Sequence, residues 1–311
     1  MKIYYKLSDF QHNGNSIVTT GTFDGVHLGH QLIIKKLKEK ARELNGETVL
    51  LTFWPHPRLI ISPHDNNLKL LTTIDEKLEI LGSLGIDHMV VLPFTREFSE
   101  LSSDKYIDEI LVKGLGTKAM VIGYDHRFGK NREGGIDYLK KHSDRYKIEV
   151  TEISRQEIEN ITISSTKIRK AVLEGNIKIA NELLGRPYSF SGHIIKGRQL
   201  GRTIGFPTAN VALQKNYKLI PKNGVYITKV HLRNKTFGGI MNIGNRPTVD
   251  GIGTSMEVHI FEFSDDIYGE NLKVEVLEFV RNEQKFDNIK ELIAQIEIDC
   301  EQALKYLNEK N

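Results

Sequence analysis

The feature that most constrains this chain is a change of texture at Leu184-Gly185-Arg186-Pro187. Before it, short runs that are apolar on both faces alternate with amphipathic segments. Ile17–Thr20, Val49–Phe53, His88–Leu92, Ala119–Ile122 and Ile148–Val150 read as strands, and helical spacing runs over Leu28–Leu44, Asp75–Leu84 and Ser103–Val112. Strands buried on both faces and separated by helices make a parallel sheet covered on both sides. After the break, Gly192–Lys196, Val225–Leu232, Thr236–Ile243, Met256–Phe263 and Leu272–Phe279 follow one another with no helix between, joined by glycine-rich turns. That order reads as a small antiparallel barrel or sandwich. A last helix, about Asp287–Leu307, carries Ile289, Leu292, Ile293 and Ile296 as one stripe to lay against it. Two domains are therefore expected, 1–185 and 186–311, and a chain of 311 residues is long for one core.

Composition limits the partners. The net charge of +3 comes from 43 basic and 40 acidic side chains, too small and too interspersed for a nucleic-acid surface, though mildly suited to anionic phosphates. No apolar run is long enough to span a bilayer, and Met1–Lys6 lacks the apolar core of a secretion signal. The single cysteine, Cys300, excludes an intrachain disulfide and fits a reducing compartment. The expectation is a soluble cytoplasmic protein with no nucleic-acid or membrane partner.

Two stretches carry chemistry. In the first, Gly21-Thr22-Phe23-Asp24-Gly25-Val26-His27-Leu28-Gly29-His30 follows the first strand and opens the first helix, where ligands sit in open α/β sheets. His27 and His30 are three apart and share a face, and Gly29 between them lets a ligand approach backbone N–H groups at the positive end of the helix. Two imidazoles there can donate to a phosphate as charge develops on it. The plainer reading is a strand-to-helix turn with two surface histidines. A zinc site is weaker, because no cysteine is near and the glycines favour phosphate. Further on, Ser164, Ser165 and Thr166 place hydroxyls at a helix start, with Arg169 one turn inside. Such hydroxyls usually only cap a helix.

The second stretch, Gly197 to Asn210, sets Gly197, Gly201 and Gly205 at every fourth residue before Pro207-Thr208-Ala209-Asn210. A flexible loop with free N–H groups can wrap phosphates, and Thr208 and Asn210 would share a face if extended. Their oxygens suit Mg²⁺ bridging to ATP phosphates. No Walker A loop and no protein-kinase signature set is present. In Met256-Glu257-Val258-His259-Ile260, Glu257 points away from its apolar neighbours. It is either a solvated strand glutamate or a general base.

The first decapeptide resembles the His-x-Gly-His signature of the nucleotidyltransferase superfamily, and Ser164 to Arg169 resembles that group's phosphate-holding Ser-Ser-Thr-x-x-Arg element. Pro-Thr-Ala-Asn, Gly224-Val225-Tyr226, Asn242 to Thr248 and Glu257, in that order, resemble riboflavin kinase, whose fold is a six-stranded barrel. Together the halves are similar to bacterial bifunctional riboflavin kinase/FAD synthetases over essentially the whole chain. The resemblance implies a Rossmann-like FMN adenylyltransferase domain followed by a riboflavin kinase barrel with a C-terminal helix. It implies two ATP-dependent steps, riboflavin to FMN and FMN to FAD with release of pyrophosphate. It also implies roles: His27 and His30 stabilising the transferring phosphate, Glu257 as base, Thr208 and Asn210 on Mg²⁺. Nucleotide or flavin contacts fall on Gly21, Phe23, Asp24, Gly25, Gly29, Asp125, Ser164, Ser165, Thr166, Arg169, Gly201 and Gly205. Pro55-His56-Pro57 matches a supporting segment.

One departure stands out. In Tyr124-Asp125-His126-Arg127-Phe128-Gly129, His126 occupies a position where the family commonly has phenylalanine. Asp125 keeps the polar position, but the packing role of the missing ring passes to an imidazole. Two other classes of function fit parts of the sequence: a kinase whose N-terminal half only binds flavin, and a nucleotidyltransferase with another acceptor. The intact histidine and Ser-Ser-Thr elements speak against the first, the attached barrel against the second.

Overall fold

A computed structural model describes residues 1–61, 68–154, 163–197, 199–248 and 251–309. The chain forms two compact units, Met1–Ser165 and Thr166–Asn311.

The first unit is built on six strands, all parallel, in the order Lys2–Tyr4, His88–Pro93, Glu47–Trp54, Ser16–Thr20, Thr117–Gly123, Glu149–Ile153. The four inner strands are apolar on both faces because a core lies on each side. On one side Val18, Val49, Leu51 and Val90 pack with Tyr106, Leu111 and Phe128. On the other Ile17, Leu50, Met89 and Val121 pack with Ile34, Leu37 and Leu81. The edge strand Lys2–Tyr4 is short and largely exposed, so no hydrophobic signal marks it in the sequence. Helices Leu28–Glu43 and Ile74–Ser83 match their periodicity, and a capping box of Thr73 and Glu76 starts the second. The helix predicted over 103–112 instead begins as one turn, Ser103–Lys105, capped by the Ser102 hydroxyl, and widens into a π-helix, Tyr106–Gly114. Hydrophobic spacing cannot tell a π-turn from an α-turn over nine residues, and such turns cluster at functional sites.

The second unit is a closed antiparallel barrel in the order Ala209–Leu213, Gly251–Ile260, Lys235–Thr248, Gly224–Leu232, Asn271–Arg281, Tyr188–Ile195. Five of these strands were legible in the sequence. The sixth, Ala209–Leu213, is the short one that closes the barrel. The strand Gly224–Leu232 does not alternate in burial, because Tyr226 fills the interior while Val225 and Ile227 are covered outside by Ala303 and Leu307 of the final helix, Ile289–Glu309. Asn288 caps that helix, its Oδ1 accepting the Glu291 N–H at 3.0 Å, and a bidentate Arg281–Asp299 pair ties it to the neighbouring strand.

Two further helices, Ser165–Glu174 and Ile177–Leu184, extend this unit upstream of the barrel strands. The second packs on strands Asn271–Arg281 and Tyr188–Ile195. Its Asn181 bridges both, donating to the Val276 carbonyl at 2.9 Å and accepting the Tyr188 N–H at 2.6 Å. Ile177 and Leu184 are each 1 % exposed. A fragment of residues 166–311 should therefore fold alone, whereas one starting at residue 186 loses that packing. Burial of two such side chains alone is worth about 3–5 kcal/mol, so thermal melts of the two fragments should differ by many degrees in favour of the longer one. Equal melting temperatures would show that the two helices do not support the barrel.

Candidate active sites

The strand order of the first unit reverses direction between Ser16–Thr20 and Thr117–Gly123, and a crevice opens there beyond the carboxyl ends of the strands. A cavity of about 760 Å³ lies at this point, lined by Gly21, Phe23, His27, Gly29, His30, Asp125, Ser164 and Ser165 among others. The first seven residues after Thr20 form an unusual turn. Phe23 (φ 47°), Gly25 (φ 84°) and Val26 (φ 39°) all adopt the left-handed region, which a phenylalanine and above all a β-branched valine resist. Asp24 holds it. Its carboxylate, 2 % exposed, accepts N–H groups of Leu71 at 3.0 Å and Thr72 at 3.2 Å, and the Thr72 hydroxyl accepts the Gly25 N–H at 3.1 Å. Asp24 and Gly25 thus shape the cavity without lining it.

His27 is the N-cap of the helix rather than part of it: its Nδ1 accepts the His30 N–H at 3.3 Å. That bond assigns the His27 proton to Nε2, so a neutral ring presents an N–H donor. The His27 and His30 rings stack at 3.6 Å, tilted by 15°. Gly29 is needed beneath them, since a Cβ there would stand 3.2 Å from the His27 ring. The Ser165 hydroxyl donates to the Asp24 carbonyl at 3.0 Å and brings the Ser164–Ser165 pair to the cavity. Thr166, exposed, and Arg169, half-buried, stand on the helix Ser165–Glu174 in the second unit. Pro57 lines the cavity beside Phe53, and His56 is buried, its Nδ1 accepting the Arg58 N–H at 3.2 Å.

Sequence reasoning missed the aromatic wall of this cavity. Tyr106 and Phe128 stack at 5.1 Å, Phe98 meets Tyr106 edge-on, and the Tyr106 and Thr20 hydroxyls are 3.2 Å apart. Arg127 and Arg132 add positive charge. His126 continues the stack on Phe128 at 5.9 Å and 27°, so the imidazole keeps a flat aromatic face at this place. Its Nε2 is buried with no hydrogen-bond partner among the described residues. Burial first, then the charges of Arg132 and Arg127, push its pKa down to about 4, so the ring is neutral at physiological pH.

In the second unit a cavity of about 580 Å³ has an apolar wall of Ile204, Phe206, Val225, Ile240, Leu292 and Ile296. Its polar side is Thr208, Asn242 and Glu257. The Thr208 hydroxyl donates to Glu257 Oε2 at 3.1 Å. Glu257 pairs in register with Asn210 on one neighbouring strand and Asn242 on the other, so the three polar side chains stand in a row across the outside of the barrel. Asn210 lies under the approach of Gly197, where a Cβ would stand 2.3 Å from its Nδ2. The glycine loop is less open than its composition suggests. Leu200–Thr203 makes one helical turn, and the Gly201 carbonyl accepts N–H groups of Ile204 and Phe206 at 3.2 and 2.8 Å. Gly201 is obligatory, because a Cβ would stand 2.2 Å from the Phe206 carbonyl oxygen. Gly205, with φ 88°, turns the chain toward Pro207 and does not line the cavity. Arg198 and the side chains of Arg246, Pro247 and Thr248, quoted in the motifs, lie outside the described residues. His259 also lines the cavity, its Nδ1 bonded to the Pro207 carbonyl at 2.7 Å. Among the described residues no group of three His, Cys, Asp or Glu side chains could hold a metal ion.

A crevice at a strand-order switch with paired imidazoles, and a barrel cavity with a carboxylate beside a glycine turn, are the two candidate sites of a transferase. The chain belongs to the family of bifunctional riboflavin kinase/FMN adenylyltransferases. The family model for FAD synthetase matches residues 9–167 and that for riboflavin kinase residues 184–307. The chain is 43% identical to the bifunctional riboflavin kinase/FMN adenylyltransferase of Listeria monocytogenes, covering 92% of this chain and 90% of that protein. It is 39% identical to the one from Escherichia coli, covering 91% and 90%. A crystal structure described as a macrolide-efflux protein from Streptococcus pneumoniae superposes with a TM-score of 0.89 at 32% identity, covering 96% and 97%. No helix among the described residues is long and apolar enough to cross a membrane.

The neutral His126 sets a prediction. The unfolded imidazole takes a proton below about 6.5, whereas in the fold it does so only near 4. Acid should therefore destabilise the protein increasingly between those values. His126→Phe removes this share and the unpaired buried nitrogen, an effect of about 1–3 kcal/mol. Thermal melts from neutral to acid pH should show the variant gaining most at the acid end, with FAD formation retained. A variant less stable than wild type at every pH would mean that the ring nitrogen has a partner in the fold.

Proposed function

We propose that the two activities of this family divide between the units as follows. In the first, ATP and FMN meet in the crevice, and a phosphate oxygen of FMN attacks the α-phosphorus of ATP. The bond to the bridging oxygen breaks and pyrophosphate leaves, giving FAD. The His27 Nε2–H and the His30 ring donate to the non-bridging oxygens as charge builds on the α-phosphoryl group. Backbone N–H groups at the start of helix Leu28–Glu43 favour the same anion. Gly21, Phe23 and Gly29 form the floor, held by Asp24 and Gly25. Asp125, Ser164, Ser165 and Thr166 contact nucleotide or flavin, and Arg169 takes two phosphate oxygens with its fork. The observation that most supports this is the stacked His27–His30 pair at the strand-order switch.

In the second unit the flat apolar wall accepts the riboflavin ring system, and its terminal ribityl hydroxyl attacks the γ-phosphorus of ATP. Glu257 takes the hydroxyl proton while ADP leaves. The hydroxyl of Thr208 donates to one carboxylate oxygen of Glu257 and so orients the base. Thr208 and Asn210 are hard oxygen donors beside a carboxylate, a set that fits Mg²⁺. When bound, Mg²⁺ neutralises phosphate charge. The turn of Gly201 and Gly205 lies against the ATP phosphates. The single cysteine, Cys300, whose thiol burial pushes up to about 11, is inert packing and accords with a reducing cytoplasm.

Two substitutions test the division. His27→Ala with His30→Ala should stop FAD formation while FMN still accumulates from riboflavin and ATP, read by chromatography. Glu257→Gln should lower FMN formation by about 10²–10⁴-fold, the range of general-base contributions, while FMN supplied directly is still adenylylated. Loss of both activities in either folded variant, each measured on its own substrate, would overturn the assignment.

A further inference from the structure

We propose that Lys77 is a positioning residue of the adenylylation site: its buried ammonium holds the Thr22 carbonyl and so fixes the left-handed turn that presents His27 and His30. Lys77 lies on helix Ile74–Ser83 and is 4 % exposed. Its Nζ donates to the Thr22 carbonyl at 2.6 Å. Burying a cation is costly, and a methionine or leucine would fill the same volume without that cost. Packing alone therefore does not explain a lysine here, whereas the Thr22 carbonyl does.

That carbonyl opens the strained part of the turn. Phe23 follows it at φ 47°, and Val26 stands at φ 39° three residues later. Each such residue is strained and persists only where its surroundings over-determine it. Besides Ser165 on the Asp24 carbonyl and Gln31 on the Val26 carbonyl, one short segment supplies the grip. Leu71 and Thr72 bind the Asp24 carboxylate, Thr72 accepts from Gly25, and Lys77 holds Thr22. The turn is gripped by its acid at one side and by a carbonyl at the other. Leu71, Thr72 and Lys77 do not line the cavity, so they act on the reaction only through the turn.

The charge state of Lys77 is adjustable. The charged group acting on it from the elements packed against it is the Asp24 carboxylate. On its own helix, Glu76 is engaged with the Thr73 N–H at 2.9 Å. Burial lowers the lysine pKa to about 8, against the pull of Asp24. Below that value an ammonium makes a charge-assisted bond to Thr22. Above it a neutral amine holds the carbonyl more weakly, and Asp24 loses its counter-charge. Stability moves the other way. A lysine whose folded pKa lies below its unfolded value costs stability while charged, and the fold gains as pH rises from 8 toward 10.5. A merely structural lysine would make activity and stability change together.

The test uses the full-length protein, with kcat/KM for FMN adenylylation and riboflavin phosphorylation measured in the same samples over about pH 6.5–9.5, a range centred on the perturbed lysine. Wild type should lose adenylylation with a midpoint near 8 while its thermal stability holds or rises. Lys77→Arg, charged throughout, should remove this alkaline limb. Lys77→Met should lower adenylylation at neutral pH by about ten-fold, the worth of one charge-assisted hydrogen bond, through kcat rather than KM. It should abolish the limb and melt no lower than wild type. Phosphorylation should be unchanged in both. If Lys77→Met adenylylates like wild type, or keeps the limb with the same midpoint, the proposal fails. Should the arginine not fit, the methionine variant decides alone.

Discussion

The candidate adenylylation site is held by one buried carboxylate. Asp24 accepts two successive backbone N–H groups, from Leu71 and Thr72, in a place where it is 2 % exposed. A carboxylate so placed has exchanged water for fixed donors, and it holds a segment that the residue types themselves disfavour. With the turn held, the chain re-enters regular structure at His27, which caps the helix with one ring nitrogen. His30 stacks on it one turn later, and Gly29 leaves room for both rings. The chemistry thus lies at the surface of a rigid device whose fixing residues lie beneath it.

The candidate site of the barrel is built in another way. The start of the final helix lines its cavity through Asn288, Ile289, Leu292 and Ile296, while Thr208, Asn242 and Glu257 come from the strands and the turn before them. Asn210, Glu257 and Asn242 share a register row, while Val258, Met256 and Met241 turn inward. The glycine turn before Thr208 is a closed loop on the Gly201 carbonyl rather than an open wrap. The two candidate sites are built differently: stacked imidazoles at a helix start in one, a carboxylate beside a hydroxyl and two amides in the other.

Periodicity made the main elements legible, because core-facing strands and amphipathic helices must repeat at 2.0 and 3.6 residues. What it could not convey was partnership. The helix Ile177–Leu184 reads as amphipathic, yet nothing local says that its apolar face meets a barrel strand ninety-odd residues away, as the Asn181 bond to Val276 does. The strand Ala209–Leu213 is too short to announce itself. Of the candidate site, His27, His30, Thr208 and Glu257 were named from spacing together with resemblance. Asp24 carried a motif but not the information that its carboxylate would face Leu71 and Thr72. Lys77 carried no signal, since a lysine in a helix reads as solvated until its burial is seen. His126 broke the family pattern in one-dimensional form, while in three dimensions its ring still stacks on Phe128.

The most direct test of this account is Asp24→Asn in the full-length protein. The amide keeps the shape of the carboxylate but loses its charge and replaces one acceptor by a donor that faces backbone N–H groups. FAD formation from FMN and ATP and FMN formation from riboflavin and ATP would be measured in the same folded preparation. The account predicts that adenylylation falls by at least about a hundred-fold, the scale of about 3 kcal/mol for a lost charged hydrogen bond, with phosphorylation unchanged. Unchanged adenylylation would contradict the role given to the buried carboxylate. Equal loss of both activities would contradict the independence of the two sites.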